Sequence, residues 1–258
     1  MRKLFLLMAV ALLTAASSAF GRQRADVVKK VDAFSEISVE GKIHVVYEQG
    51  SGYEVRLDSS AAACVDVRVD NSALSLSPRS LAMSKVGGVY YNTVDWTEGV
   101  TVYVKAPSVG TFSLVGSGSI SVDRMTAKRV VFSVAGSGSV AIRRISADEA
   151  NFSVAGSGRL KVSGMTAGKA NLSVAGPGSI EANVSKASNL RCSIAGAGNI
   201  EVSGKVGKYS RSVFGGGSIA DGSLKYDSVD DSFVRGNSGS GTYYYGSGHK
   251  ENGILSNP

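Results

Sequence analysis

Between Thr111 and Ile219 the chain alternates apolar and polar residues in short runs, and the same run restarts at a fixed interval. Phe112-Ser113-Leu114, Phe132-Ser133-Val134, Phe152-Ser153-Val154, Leu172-Ser173-Val174 and Cys192-Ser193-Ile194 form one series. Ile120-Ser121-Val122, Val140-Ala141-Ile142, Leu160-Lys161-Val162, Ile180-Glu181-Ala182 and Ile200-Glu201-Val202 form a second. Alternation with period two puts successive side chains on opposite sides of a strand, one side buried and the other wet. The two series are joined by Gly116-Ser117-Gly118, Gly136-Ser137-Gly138, Gly156-Ser157-Gly158, Gly176-Pro177-Gly178 and Gly196-Ala197-Gly198, each starting 20 residues after the last. Gly215-Gly216-Gly217 follows after 19. A constant period of this size marks stacked repeats. No apolar run has helical spacing, and glycine recurs too often for a helix interior.

The pattern predicts an all-β, single-domain parallel β-helix, a solenoid with coils of about 20 residues. Equivalent strands would stack at about 4.8 Å, so six turns would rise roughly 24 Å. Phe112, Phe132, Phe152, Leu172 and Cys192 would form one interior column, and Leu114, Val134, Val154, Val174 and Ile194 another. One outward column would read Ser121, Ala141, Lys161, Glu181, Glu201, and its neighbour Ser119, Ser139, Arg159, Ser179, Asn199.

Upstream, strand-like runs begin at Phe34 but are less regular: Ile37-Ser38-Val39, Ile43-His44-Val45, Tyr53 to Leu57, Val65 to Val69, Leu74-Ser75-Leu76 and Val100 to Val104. They are either degenerate first coils or an antiparallel sheet that caps the solenoid. The expected division is a signal peptide at 1–21, a mobile leader at 22–33, the β-helix at 34–220 with regular repeats at 111–219, and a cap or tail at 221–258. Arg211 falls where earlier coils carry Phe or Cys, which closes the apolar column. The segment after it is a last coil, a flexible tail or an aromatic cap around Tyr243-Tyr244-Tyr245.

Composition adds an address. Arg2-Lys3, the apolar run from Leu4 to Leu13 and the small residues at Ala19 and Gly21 read as a secretory leader. The run is too short to span a bilayer as a helix. No cysteine stands at the cleavage point to carry a lipid, so the expected location is periplasm, cell surface or medium. The formal net charge is +7, of which Arg2 and Lys3 contribute two. That mild excess suits solvated edges or a polyanion-binding patch, and export argues against nucleic acid as the partner. Cys64 and Cys192 either pair or remain as two buried thiols.

Candidate chemistry is sparse. Residues 80–99 interrupt the alternation and hold Tyr90, Tyr91, Asp95, Trp96 and Glu98. Aromatic faces beside carboxylates are what a sugar-binding loop needs, and the same aromatics also serve to cover a core. Lys161-Glu181-Glu201 is the most site-like stack, with surface pairing as its plain explanation. The glycine turns lack the aspartates of calcium-binding repeats. His44 and His249 lack metal-ligand spacing. No catalytic, metal-binding or cofactor-binding residues are assigned.

The order of segments adds a resemblance. FSEISVEGKIHVVYEQG, VDVRVDNSALSLSP, VTVYVKAPSVGTFSLVGSGSI and then serial SVAGSGSV-like units stand behind a leader. Over about residues 34–220 this resembles the bacterial head GIN domain family, described as auto-transporter adhesins. The resemblance implies a β-helix of the bacterial envelope and carries no catalytic residues. Within these 258 residues no amphipathic barrel strands follow the repeats, unlike a complete autotransporter. Three functions are therefore expected to compete: a non-enzymatic adhesin binding glycan or protein, a polysaccharide lyase or hydrolase working from the 80–99 loop, and an envelope module that assembles through its edges.

Overall fold

A computed structural model describes residues 26–58, 62, 64–79, 84–86, 89–91, 99–235, 244–246 and 249–251. The described chain is nearly all strand, a β-solenoid of about 6 turns. The regular part runs through β10 (Thr111–Gly116), β11 (Ser119–Gly136), β12 (Ser139–Gly156), β13 (Arg159–Ala175), β14 (Ser179–Ala195), β15 (Asn199–Phe214) and β16 (Ser218–Arg235), each parallel to the next.

Each coil has three faces, legible in burial. In β11 inward and outward residues alternate except at the exposed pairs Asp123-Arg124 and Lys128-Arg129, where the strand turns a corner. Face A is residues 119–122, face B 125–127 and face C 130–135; the glycine turn closes the coil. Ile120, Val122, Met125, Val130, Phe132 and Val134 all point inward and are buried.

The predicted columns form in register. Phe112 pairs with Phe132, Phe132 with Phe152, Phe152 with Leu172, Leu172 with Cys192 and Cys192 with Arg211. The Phe112 and Phe132 rings stack with centroids 4.4 Å apart, and Phe132 and Phe152 with centroids 5.9 Å apart. Where the column reaches Arg211, the guanidinium meets Asp221 at 2.6 Å. Beside it Tyr209 is fully buried, and its hydroxyl finds no hydrogen-bond partner among the described residues. Cys64 and Cys192 are both buried and are not joined in a disulfide.

The glycine turns are tight because they stack. Gly136 has φ +116, and a Cβ there would lie 2.7 Å from the carbonyl oxygen of Gly116. Positive φ and a backbone lid one coil away both exclude a side chain.

The irregular N-terminal part contains coils and cap together. β2 (Glu36–Gly41) lies parallel to β10, and β3 (Ile43–Gln49) parallel to the face A segment of β11, so they form one coil. β6 (Ala73–Pro78) lies parallel to β2 and β9 (Val100–Ala106) parallel to β3, forming the next coil outward. The chain therefore makes an inner coil first, the outer one second, and then passes back over the first to start β10. Antiparallel strands finish this end: β4 (Glu54–Asp58) on β9, β1 (Asp26–Lys30) on β4, and β5 (Val65–Asp70) on β6. The expected leader at 22–33 thus includes a paired strand, because Val27 and Val28 align with Leu57 and Arg56. β7 (Ser84–Val86) and β8 (Val89–Tyr91) form a separate short hairpin.

At the other end β16 is a full coil, and the short strands β17 (Tyr244–Gly246) and β18 (His249–Glu251) run antiparallel to it.

Candidate functional site

The sheet formed by β1, β4, β9 and β3 has one face on the core and one in solvent. Val55, Leu57, Val102, Val104, Val45 and Tyr47 face inward and are buried. Tyr47 donates its hydroxyl to the carbonyl of Ala106 at 3.2 Å, and burial pushes its pKa up to about 12. The alternate residues face outward and align across strands. Val28 stands opposite Arg56, Arg56 opposite Tyr103, and Tyr103 opposite Val46.

Tyr103 is the centre of this row. It is 43% exposed, with Val46 at 38% and Val28 at 53%. Three of the five large hydrophobic residues exposed on the described surface therefore lie in one line. The Arg56 guanidinium carbon sits 4.7 Å from the centroid of the Tyr103 ring. That geometry is attractive, because the ring face is electron-rich, and it fixes the orientation of the phenol.

Next to this row lies a second, of alternating sign. Lys30 faces Glu54, Glu54 faces Lys105, and Lys105 faces Glu48. The Lys105 side chain crosses Gly50, where a Cβ would collide with it. Together Val46, Glu48, Glu54, Arg56, Tyr103 and Lys105 line a shallow groove of about 170 Å³. It offers an aromatic edge, carboxylate acceptors and cationic donors on a rigid sheet. On the far side His44 Nδ1 and Ser119 Oγ share a hydrogen bond of 2.8 Å.

The row continues down face A through Ser121, Ala141, Lys161, Glu181 and Glu201, all exposed. Lys161 and Glu181 form an ion pair at 2.6 Å, the surface pairing the spacing implied. Other cross-coil pairs follow the same rule. Arg143 binds Asp123, with a second contact at 2.8 Å, and its hydrogen bond holds the Asp123 carboxyl below the usual range. Glu149 is lowered likewise, first by Asn151 and then by Arg129 at 3.0 Å.

Of the residues singled out in sequence, Tyr90 and Tyr91 belong to β8, whose side chains are outside the described residues. Asp95 and Trp96 also lie outside them. Tyr103 was not singled out. Its signal was present, since alternation in Val102-Tyr103-Val104 puts the phenol on the wet side. Its partner Arg56 belongs to an antiparallel strand whose pairing is not local.

The family described as "Putative auto-transporter adhesin, head GIN domain" matches residues 33–223. The chain belongs to the head GIN domain family. Among solved structures, a putative adhesin from Bacteroides fragilis is 20% identical, covering 82% of this chain and 94% of that one with a TM-score of 0.64. One from Parabacteroides merdae is 14% identical over 83% of this chain and 96% of that one, TM-score 0.57. A putative lipid binding protein from Parabacteroides distasonis is 22% identical over 76% and 96%, TM-score 0.54. At these identities the likeness of this head GIN protein to them is one of fold. No curated protein matches it. Among its described residues no helix is long and apolar enough to cross a membrane.

Proposed function

We propose that this head GIN protein is an exported, non-enzymatic adhesion module, and that the groove around Tyr103 holds a glycan. The observation that carries this reading is the solvent-facing Tyr103 ring, oriented by Arg56 and bordered by Glu54, Lys105 and Glu48. Aromatic rings stack on the apolar faces of pyranoses, while carboxylates and ammonium groups bond hydroxyls. Placement on paired strands limits the ordering cost of binding. Tyr90, Tyr91, Asp95 and Trp96 are proposed as a second contact, carried by the 80–99 segment.

A glycan array probed with the wild type, Tyr103→Ala and Trp96→Ala tests this. Binding to a defined set of glycans, weakened about tenfold in Tyr103→Ala, supports the reading. A blank array together with an empty pull-down from envelope extract overturns it, as does binding indifferent to Tyr103→Ala. Release of reducing sugar from a polysaccharide panel, lost in Asp95→Ala or Glu98→Ala, would instead make the protein an enzyme.

A further inference from the structure

At three places on the solenoid a cation on one coil is paired with an anion on the next, Asp123 with Arg143, Arg129 with Glu149 and Lys161 with Glu181, while single like-charge pairs stand opposite at Arg124–Arg144 and Glu181–Glu201. Face B carries a longer run of like charge in its C-terminal half. One outward column there starts with Thr126, Ser146 and Thr166 and continues with Lys186, Lys205 and Lys225. Ser185 and Lys186 together oppose Lys205 across a bulge, and Lys205 pairs directly with Lys225. All three lysines are exposed. Like charges directly opposite each other in a sheet destabilise it, so this stack works against folding.

Around the next corner is a groove on face C lined by Lys169, Arg191 and Lys208 with Asn171, Asn189 and Ser210. The corner between the two sets carries Gly168, Ser188 and Gly207. A Cβ on Gly168 or Gly207 would come within 2.7 or 2.8 Å of the carbonyl oxygen one coil away, so the ridge stays bare. None of the six cations forms an ion pair among the described residues. Glu149 faces Lys169 but is already held by Arg129 and Asn151. The other acids of this region are Asp148, on the same corner one coil before Gly168, and Asp227 and Asp230 on the last coil.

We propose that this corner binds an extended anionic glycan, one bearing carboxylate or sulfate at regular intervals, laid along the solenoid axis. Lys169 and Lys208 lie two coils apart in one column, about 9.6 Å by strand spacing, so the protein offers charge at a constant repeat. A polymer with regular anions neutralises the lysine stack without folding back on itself. The amides of Asn171 and Asn189 can bond hydroxyls between the charges. The favoured partner is a glycan rather than single-stranded nucleic acid, because among the described residues no aromatic side chain stands between the cations to stack bases. It is favoured over a bilayer because none of the described apolar side chains projects there to insert. The corner and the Tyr103 groove are separate sites.

Affinity electrophoresis of the folded protein through gels containing polygalacturonate, dextran sulfate or neutral dextran tests the proposal. Retardation is expected in one or both anionic gels, is expected to fade as salt rises, and is absent in neutral dextran. The triple variant K186Q/K205Q/K225Q should weaken it about tenfold or more. These lysines are exposed and mutually repulsive, so the variant should melt no earlier than the wild type. No retardation by either polyanion overturns the proposal, as does equal retardation of the triple variant. Tighter binding to single-stranded DNA, or to phosphatidylserine vesicles, than to either glycan overturns the choice of partner.

Discussion

Gly136 and Gly216 differ in what surrounds them. A Cβ at Gly136 would strike the Gly116 carbonyl and sit at φ +116, whereas one at Gly216 would meet nothing within 4 Å. Gly136→Ala should therefore cost about 1–3 kcal/mol, and Gly216→Ala should stay within about 0.5 kcal/mol of the wild type. Urea unfolding of the two variants checks this. Cys192 supplies a second test at this scale. Burial lifts its thiol pKa from 9.0 to about 12. Below pH 9 both folded and unfolded chains keep the proton. Above it the unfolded chain loses the proton first, so stability should fall as pH rises from 9 to 12, by up to about 1.4 kcal/mol per unit. Tyr47 adds to the upper part of that window. Cys192→Val should flatten the slope, read as melting temperature against pH. In the native wild type neither thiol should react with iodoacetamide, and both should react after denaturation.

At the level of the strand, inside and outside differ by one residue. Leu172 is buried between Phe152 and Cys192, and Ser173 is its exposed neighbour in β13. Leu172→Ala should lose about 2–5 kcal/mol, and Ser173→Ala no more than about 0.5 kcal/mol, by chemical denaturation. Equal losses would contradict the assignment of faces. This part of the fold was legible because Phe132-Ser133-Val134 and its copies restate the rule at a fixed interval. The N-terminal coils were less so. Nothing in Leu74-Ser75-Leu76 says that it lies on Ile37-Ser38-Val39, while Val65 to Val69 turns back on the same strand. Parallel stacking and antiparallel capping share the same alternation, and only chain order separates them. The site suffered likewise: Tyr103 was visible as an outward aromatic, but Arg56 reaches it through an antiparallel pairing 47 positions away in sequence. The face B lysines stack only because β14 bulges at Ser185-Lys186; the sequence shows this as the single 19-residue interval from Gly196 to Gly215, which does not say on which face the residue is lost.

The whole molecule behaves as a set of near-identical layers, each touching only its neighbours. Such an array has stability that sums over layers and interfaces. Deleting residues 139–158, one complete layer, would bring Arg159 onto Ser119 and Leu172 onto Phe132 with every face preserved. The shortened protein should fold, keep its strand circular dichroism and show a smaller denaturant slope, since less surface is exposed on unfolding. Deleting ten residues instead, 139–148, should abolish cooperative unfolding, because it sets face A of one layer against face C of the next.

The position of β2 and β3 bears on how the chain matures. Their partners on one side, β6 and β9, and on the other, β10 and β11, are all made later. One edge of the earliest coil stays open until synthesis has passed residue 106, and the other until it has passed residue 122. A nascent chain of this design stays unfolded at its front for nearly half its length. The stack can close over its first coil only once those later strands exist.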